Sequence, residues 1–261
     1  MTDEAVKKTV KLYDGEITIE FNNKARNRYV VLEDGHSPVG VTTVLAGLAK
    51  PGLALWPMYE AIDWLKKNPD DFEGAEKAYL IKSDKGKSVG TDVHAALENY
   101  LNGRGVIMSD DIFKPYMAFN SWFADNDPKV LATEQIIYSK KYDYAGTYDV
   151  LLDLDGKVVL CDIKTTNASR SAPLGIYPEY LLQLGAYSLA HHEENPLEKV
   201  DDLMVIRVGK DGVLNTLTAS QLGFKVSFLE DTFKQLIELY KFMTPLTKQL
   251  GEMKSAAVIQ K

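Results

Sequence analysis

The sequence predicts an α/β domain with a mixed central β-sheet flanked by helices, and three observations predict it. Apolar residues recur at helical spacing between residues 53 and 126; after Pro128 the period shortens to that of strands; and two hairpins then alternate with two further helices. A chain of 261 residues, 45% hydrophobic and 26% charged, is long enough for a sizeable core in one large domain or two small ones.

Taken in order, residues 9–21 and 28–33 read as short strands separated by turn signals. VTTVLAGLA at 41–49 opens a helix with Thr42 or Thr43 as N-cap, and Pro51-Gly52 ends it. Helices follow over 53–67, 69–83 and 86–103; in the last, Val93, Ala96, Leu97, Tyr100 and Leu101 share a face, and Gly103 is a fitting stop. Residues 109–126 make another helix, with Pro115 near its first turn. Then come a strand over 129–142, a hairpin over 146–166 and a helix over 177–194. VDDLMVIRVG and GVLNTLTA pair around Lys210-Asp211-Gly212, and a helix from about 219 to 250 closes the chain. The expectation is a single domain over 1–261, in which 1–85 form an N-terminal cap of strands and helices and 86–261 the core.

Composition narrows the function classes. A net charge of −7 and a pI near 5.2 argue against a protein that simply coats nucleic acid, but not against an acidic site that holds metal. The clusters Lys24/Arg26/Arg28, Lys82/Lys85/Lys87 and Lys140/Lys141 read as solvated faces. The single cysteine, Cys161, excludes an internal disulfide and a four-cysteine cluster. No apolar run approaches the roughly 20 residues that span a bilayer, and MTDEAVKKTVKLYDG lacks the apolar stretch of a secretory signal. A cytoplasmic setting away from membranes is the expectation.

The hairpin GTYDVLLDLDGKVVLCDIKTT, residues 146–166, carries charge where strands are usually apolar. A two-residue Asp155-Gly156 loop places Asp149 directly opposite Asp162, as does a four-residue loop; a three-residue loop would shift the register. Opposed Cβ atoms lie about 5 Å apart. Lys164, two residues beyond Asp162, projects from the same face, while Val150, Leu152, Leu154, Val159, Cys161 and Ile163 form a core face. Two carboxylates so placed stay ionised comfortably only with a cation between them, and oxygen ligands suit Mg²⁺ or Mn²⁺. A lysine beside that ion could hold or deprotonate a water, or neutralise developing charge. The competing reading is a solvated hairpin in which Lys164 is merely an ion-pair partner. Glu134, in ATEQIIY, could reach the same site or lie on the surface; His94 sits on a helix whose Asp92 and Glu98 let it face a cleft, or it is structural. Gln183 and Tyr187, four apart, share a helix face, as core and rim residues also do.

Together these residues resemble the PD-(D/E)XK nuclease superfamily, and within it the RecB-like exonuclease branch with its phage and mitochondrial members. GTDVHAALENYL resembles the branch's histidine helix; Glu134, YAGTYD ending at Asp149, and CDIKTT with Asp162 and Lys164 resemble its metal and catalytic motifs. QLGAY resembles the trailing Gln-x-x-x-Tyr helix, and GVTTVLAGLAKPGLALW at 40–56 the leading region. The motifs follow in order over residues about 86 to 190. Tyr148 rather than proline precedes Asp149, and the chain lacks the four cysteines with which some relatives hold an iron–sulfur cluster.

The resemblance implies a restriction-endonuclease-like core and a metal-dependent DNA exonuclease, with a structure-specific endonuclease or an inactive nucleic-acid-binding module as alternatives. It implies Mg²⁺ or Mn²⁺ bound by Asp149, Asp162, His94 and the Ile163 carbonyl, with Glu134 serving a second metal or the attacking water. Lys164 would position or activate that water. Gln183 and Tyr187 would contact the DNA backbone or brace the site, with Thr165 and Tyr148 also on the nucleic-acid side. Bases of a single strand could stack on some of Tyr138, Tyr142, Tyr144 and Tyr148, the others being core. The implied substrate is DNA, single-stranded or with free ends, handled in recombination, repair or end processing. A phage origin, action in the host cytoplasm and a recombination protein as partner complete that expectation.

Overall fold

The computed structural model describes residues 6–48, 54–166 and 174–259. Three strands, β1 (Lys7–Leu12), β2 (Ile17–Asn22) and β3 (Tyr29–Val31), form a small antiparallel sheet in that order. The chain then enters the central sheet through β4 (Val39–Gly40) and the short helix α1 (Val41–Leu45). Helices α2 (Trp56–Lys67), α3 (Phe72–Leu101) and α4 (Asp110–Asn126) lead to β5 (Lys129–Ser139), β6 (Tyr144–Leu154) and β7 (Lys157–Lys164). After α5 (Pro178–Glu194) come β8 (Asp202–Val208), β9 (Leu214–Thr218) and the long α6 (Val226–Ile259).

The central sheet runs β4-β6-β7-β8-β9, with β5 on the other edge of β6; β4–β6 and β7–β8 are parallel, the rest antiparallel. The expected α/β arrangement, a mixed central sheet flanked by helices, is the one the chain adopts. Helices α3 and α4 cover one face, setting Val93, Leu97 and Phe119 against Val150, Leu152, Cys161 and Ile163. Helices α5 and α6 cover the other, with Leu184, Phe233 and Ile237 against Tyr144, Leu160 and Val205. Each such large apolar side chain taken fully out of water contributes about 1.5–3 kcal/mol, which holds the layers together. The N-terminal sheet packs Ile19, Tyr29 and Val31 onto Ile136, Tyr138 and Ala145, at the far end of β5 and β6.

Several local expectations change. The helices expected over 69–83 and 86–103 are one, Phe72–Leu101. Gly86 and Gly90 each cost a helix about 1 kcal/mol relative to alanine, but burial of Val89, Val93, Ala96 and Leu97 anchors the stretch that follows. Asp71 caps this helix, accepting from the Gly74 N–H at 2.9 Å. Neither Thr42 nor Thr43 caps α1: Gly40 stands at the N-cap and no side chain bonds there. Lys50, Pro51 and Gly52 lie outside the described residues. The last helix starts at Val226 rather than near 219, because a 3₁₀ turn over Ser220–Leu222 ends on left-handed Gly223 (φ 79°). Among the described residues no helix is long and apolar enough to cross a membrane.

Candidate active site

The β6–β7 hairpin turns at Asp155-Gly156 and pairs Val150 with Cys161, Leu152 with Val159 and Leu154 with Lys157, the register the two-residue loop requires. The ladder ends at Val150–Cys161, one step short of Asp149 and Asp162. Beyond it β4 takes over the same edge of β6, pairing Val39 with Tyr144 and Gly40 with Ala145. The strands therefore fork at Asp149. There the Ile163 N–H donates to Asp149 Oδ2 at 2.6 Å instead of to a backbone carbonyl.

On the other edge of β6, Glu134 falls between the pairs Thr133–Val150 and Gln135–Tyr148, which sets it beside Asp149. Glu134 has φ +48°, a left-handed conformation that a non-glycine residue rarely adopts. The alternation of β6 breaks at the same level: Tyr148 and Leu151 pack toward α5, Val150 and Leu152 toward α3. Glu134, Asp149 and Asp162 thus form one row across three strands, at a point where both outer strands depart from regular pairing.

The row is short of positive charge. Asp162 is 2% exposed, and burial pushes its pKa up to about 6, with Lys164 opposing and Asp149 adding to the shift. Burial raises Asp149 as well, against the pull of Lys164. Burial and the neighbouring Asp149 and Glu98 push Glu134 up to about 7. His94 reaches the fork from α3, its Nδ1 3.8 Å from Asp149 Oδ2. Burial, and then the Lys164 ammonium, hold His94 down to about 4, so its ring is neutral at pH 7 and able to bind a cation.

Lys164 Nζ stands 2.6 Å from Asp162 Oδ2 and donates to Gln183 Oε1 at 3.1 Å. Gln183 Nε2 in turn donates to the Tyr187 hydroxyl at 2.6 Å, and the ammonium lies 5.0 Å from the Tyr180 ring centre. Gln183 and Tyr187 are buried, so of the two roles expected for them the geometry favours bracing Lys164. Gly146 makes room for this brace: a Cβ there would sit 2.5 Å from Tyr187 Cε1. Tyr180, three residues before Gln183 on the same helix face, is a neighbour the sequence reading passed over, although its spacing could have revealed it. Thr165 follows directly, its Oγ1 buried and without a hydrogen bond among the described residues.

Tyr148 does not offer a stacking surface. It is 3% exposed, and its ring lies 6.2 Å from that of His191 in the core. Tyr138 and Tyr144 are buried too, so of the four flanking tyrosines only Tyr142 is partly open. Arg26 and Arg28 are exposed, as the solvated-face reading expects, and they also line a cleft of about 750 Å³ between the N-terminal and central sheets, with Lys8, Thr42, Glu134 and Tyr187 on its walls.

Among the described residues no three His, Cys, Asp or Glu side chains converge as a ready ligand set. The donors nonetheless suit a hard divalent cation. Asp162 Oδ2 is buried with the Lys164 ammonium as its one partner among the described residues, and the row has more carboxylates than Lys164 can neutralise.

No protein-family model matches the chain, and no curated protein does. Among solved structures it is similar to LHK-Exo in complex with dAMP, at 12% identity and a TM-score of 0.37, over 86% of this chain and 95% of that one. It is also similar to an alkaline exonuclease, LHK-Exo, from Laribacter hongkongensis, at 14% identity and a TM-score of 0.29, over 59% and 84%. A third likeness is to SSO0001, at 12% and 0.31, over 76% and 84%. Likenesses at this level leave the chain's chemistry to be argued from its own residues.

Proposed function

We propose that the chain is a metal-dependent DNA exonuclease that hydrolyses phosphodiester bonds. The observation that carries this reading is the buried Asp162 carboxylate, partnered by one braced lysine and set in a row with Asp149 and Glu134. A binding module has no use for such an arrangement, whose burial raises the cost of every negative charge in it.

Asp149 and Asp162 would hold Mg²⁺ or Mn²⁺, with His94 and the Ile163 carbonyl as further ligands. When bound, the ion would polarise the scissile phosphate and lower the pKa of a water. Lys164, fixed by Gln183 and the Tyr180 face, is placed to orient the attacking water and to offset charge gathering on the phosphate. Glu134, beside Asp149 in the row, would serve a second metal or orient the attacking water. Arg26, Arg28 and Lys8 give the adjoining cleft a basic wall for the strand's phosphates. Recombination, repair or end processing is the setting in which such an activity would serve, with a recombination protein as partner and a phage as source.

The test is hydrolysis of end-labelled linear and of closed circular DNA in Mg²⁺, Mn²⁺ and EDTA. Metal-dependent release of nucleotides from the linear substrate is expected. Efficient cutting of the circle would replace this reading with an endonuclease, and no hydrolysis of either would leave only a binding module.

A further inference from the structure

Arg207 is 1% exposed and stands on β8 directly beside Lys164 of β7, on the same face of the sheet. Its Nε donates to the Thr166 carbonyl at 2.7 Å and its Nη1 to the Val213 carbonyl at 3.0 Å, with Asp211 Oδ1 3.7 Å away. Nη2 is buried, without a hydrogen-bond partner among the described residues. The backbone is shaped around this side chain and its acidic neighbour: a Cβ on Gly209 would collide first with Asp211 Oδ1 and would lie 2.5 Å from Nη2, and one on Gly175, at φ +67°, 2.9 Å from Nε. Thr166 Oγ1 also bonds the Gly175 carbonyl at 2.5 Å, and Asn215, paired with Arg207 across β8–β9, donates to the Leu174 carbonyl at 3.3 Å.

We propose that Arg207 is a positioning residue that locks the end of β7 to the β8–β9 turn and so keeps Lys164 aimed at the reacting phosphate; the inference rests on the nuclease reading above. A buried guanidinium with an unpaired N–H is a costly way to fill space, and an apolar side chain would do that better. What an apolar side chain lacks is the pair of donors that ties Thr166, two residues past Lys164, to Val213 in a fixed geometry. Asp162 and Lys164 both sit on that strand end, and a misplacement of about 1 Å is enough to cost about 100-fold in rate.

The experiment compares wild type with Arg207→Ala, Arg207→Lys and Gly209→Ala on labelled linear DNA. Arg207→Ala is expected to lose about 10- to 100-fold in kcat while KM for DNA changes by less than about threefold. Methylguanidinium in the assay should restore part of the loss in Arg207→Ala and leave wild type unchanged, which a merely lowered stability would not show. A kcat within about twofold of wild type, a loss confined to KM, or no rescue of folded Arg207→Ala would overturn the proposal. Should that variant fail to fold, Gly209→Ala, which keeps the guanidinium but crowds it and Asp211, must show the same fall in kcat, and an unchanged kcat overturns the proposal. Wild type inactive with every metal would sink the nuclease reading alone. The lock is then judged by hydrogen exchange: residues 160–166 and 209–215 must open together in the variants, and unchanged exchange overturns it.

Discussion

Asp149 Oδ2 accepts the Ile163 N–H at 2.6 Å, so a side chain continues the β6–β7 ladder at the point where the two strands part. The carboxylate that the proposed chemistry needs is also a structural acceptor. The two demands can be separated by substitution. Asp149→Asn keeps a carbonyl for the Ile163 N–H and removes negative charge from the row, so the metal-free protein should melt at an equal or higher temperature while hydrolysis is lost. Asp149→Ala leaves the N–H unpaired and should cost about 1–3 kcal/mol. Thermal melts in EDTA decide; a lower midpoint for Asp149→Asn would contradict the charge argument.

Glu134 makes a pH-dependent contribution whose sign follows from its shift. Its pKa rises from about 4.5 to about 7 on folding, so the folded chain holds this proton more tightly. The group therefore favours folding below pH 4.5 and loses that contribution as pH climbs through 7. Glu134→Gln should change metal-free stability little at pH 4.5 and stabilise by roughly 1–3 kcal/mol at pH 8, while lowering activity. Urea melts at the two pH values measure this, and an equal effect at both would refute it.

Lys164→Ala should reduce metal-dependent hydrolysis by at least about 100-fold with the circular dichroism spectrum unchanged. Gln183→Ala, which removes only the brace, should cost less than Lys164→Ala. Turnover near wild type in folded Lys164→Ala would remove the lysine from the mechanism.

Mn²⁺ or Mg²⁺ should stabilise the wild type at pH 8, by about 2.7 kcal/mol at a concentration 100 times the dissociation constant. Asp162→Asn should abolish that gain. An Asp162→Asn protein whose melting point still rises with Mn²⁺ as much as the wild type's would place the ion elsewhere.

Gly146→Ala would set a methyl group against the Tyr187 ring. A loss of about 1–3 kcal/mol in stability is expected, together with a drop in kcat as the Tyr187–Gln183–Lys164 chain is displaced. Calorimetry and single-turnover assays on the same preparation would show whether both occur.

Much of the site was readable one element at a time. An Asp-Gly turn sets hairpin register, and a period of two sets faces, so the register of the hairpin and the apolar face from Val150 to Ile163 followed from local rules and agree with the pairing found. The expected direct opposition of Asp149 and Asp162 is not part of that ladder, which stops at Val150–Cys161. The i, i+4 spacing of Gln183 and Tyr187 likewise placed them on one face. The fused helix over Phe72–Leu101 did not follow, because packing of Val89, Val93 and Leu97 outweighs the glycine penalty only once the sheet is present. Nor did the burial of Tyr148, since aromatic residues near a charged motif look alike whether they face a ligand or the core.

The amino-acid order alone determined the α/β class and the hairpin register, and it singled out the residues proposed to supply the chemistry, because each depends on neighbours within a few positions or across one turn. Tertiary structure decided the rest. The left-handed turn of the chain at Glu134, the fork of β6 between β4 and β7, the arrival of His94 from α3 and the burial of Arg207 beside Lys164 all bring together segments distant along the chain. Such relationships are set by long-range packing, which local periodicity does not encode.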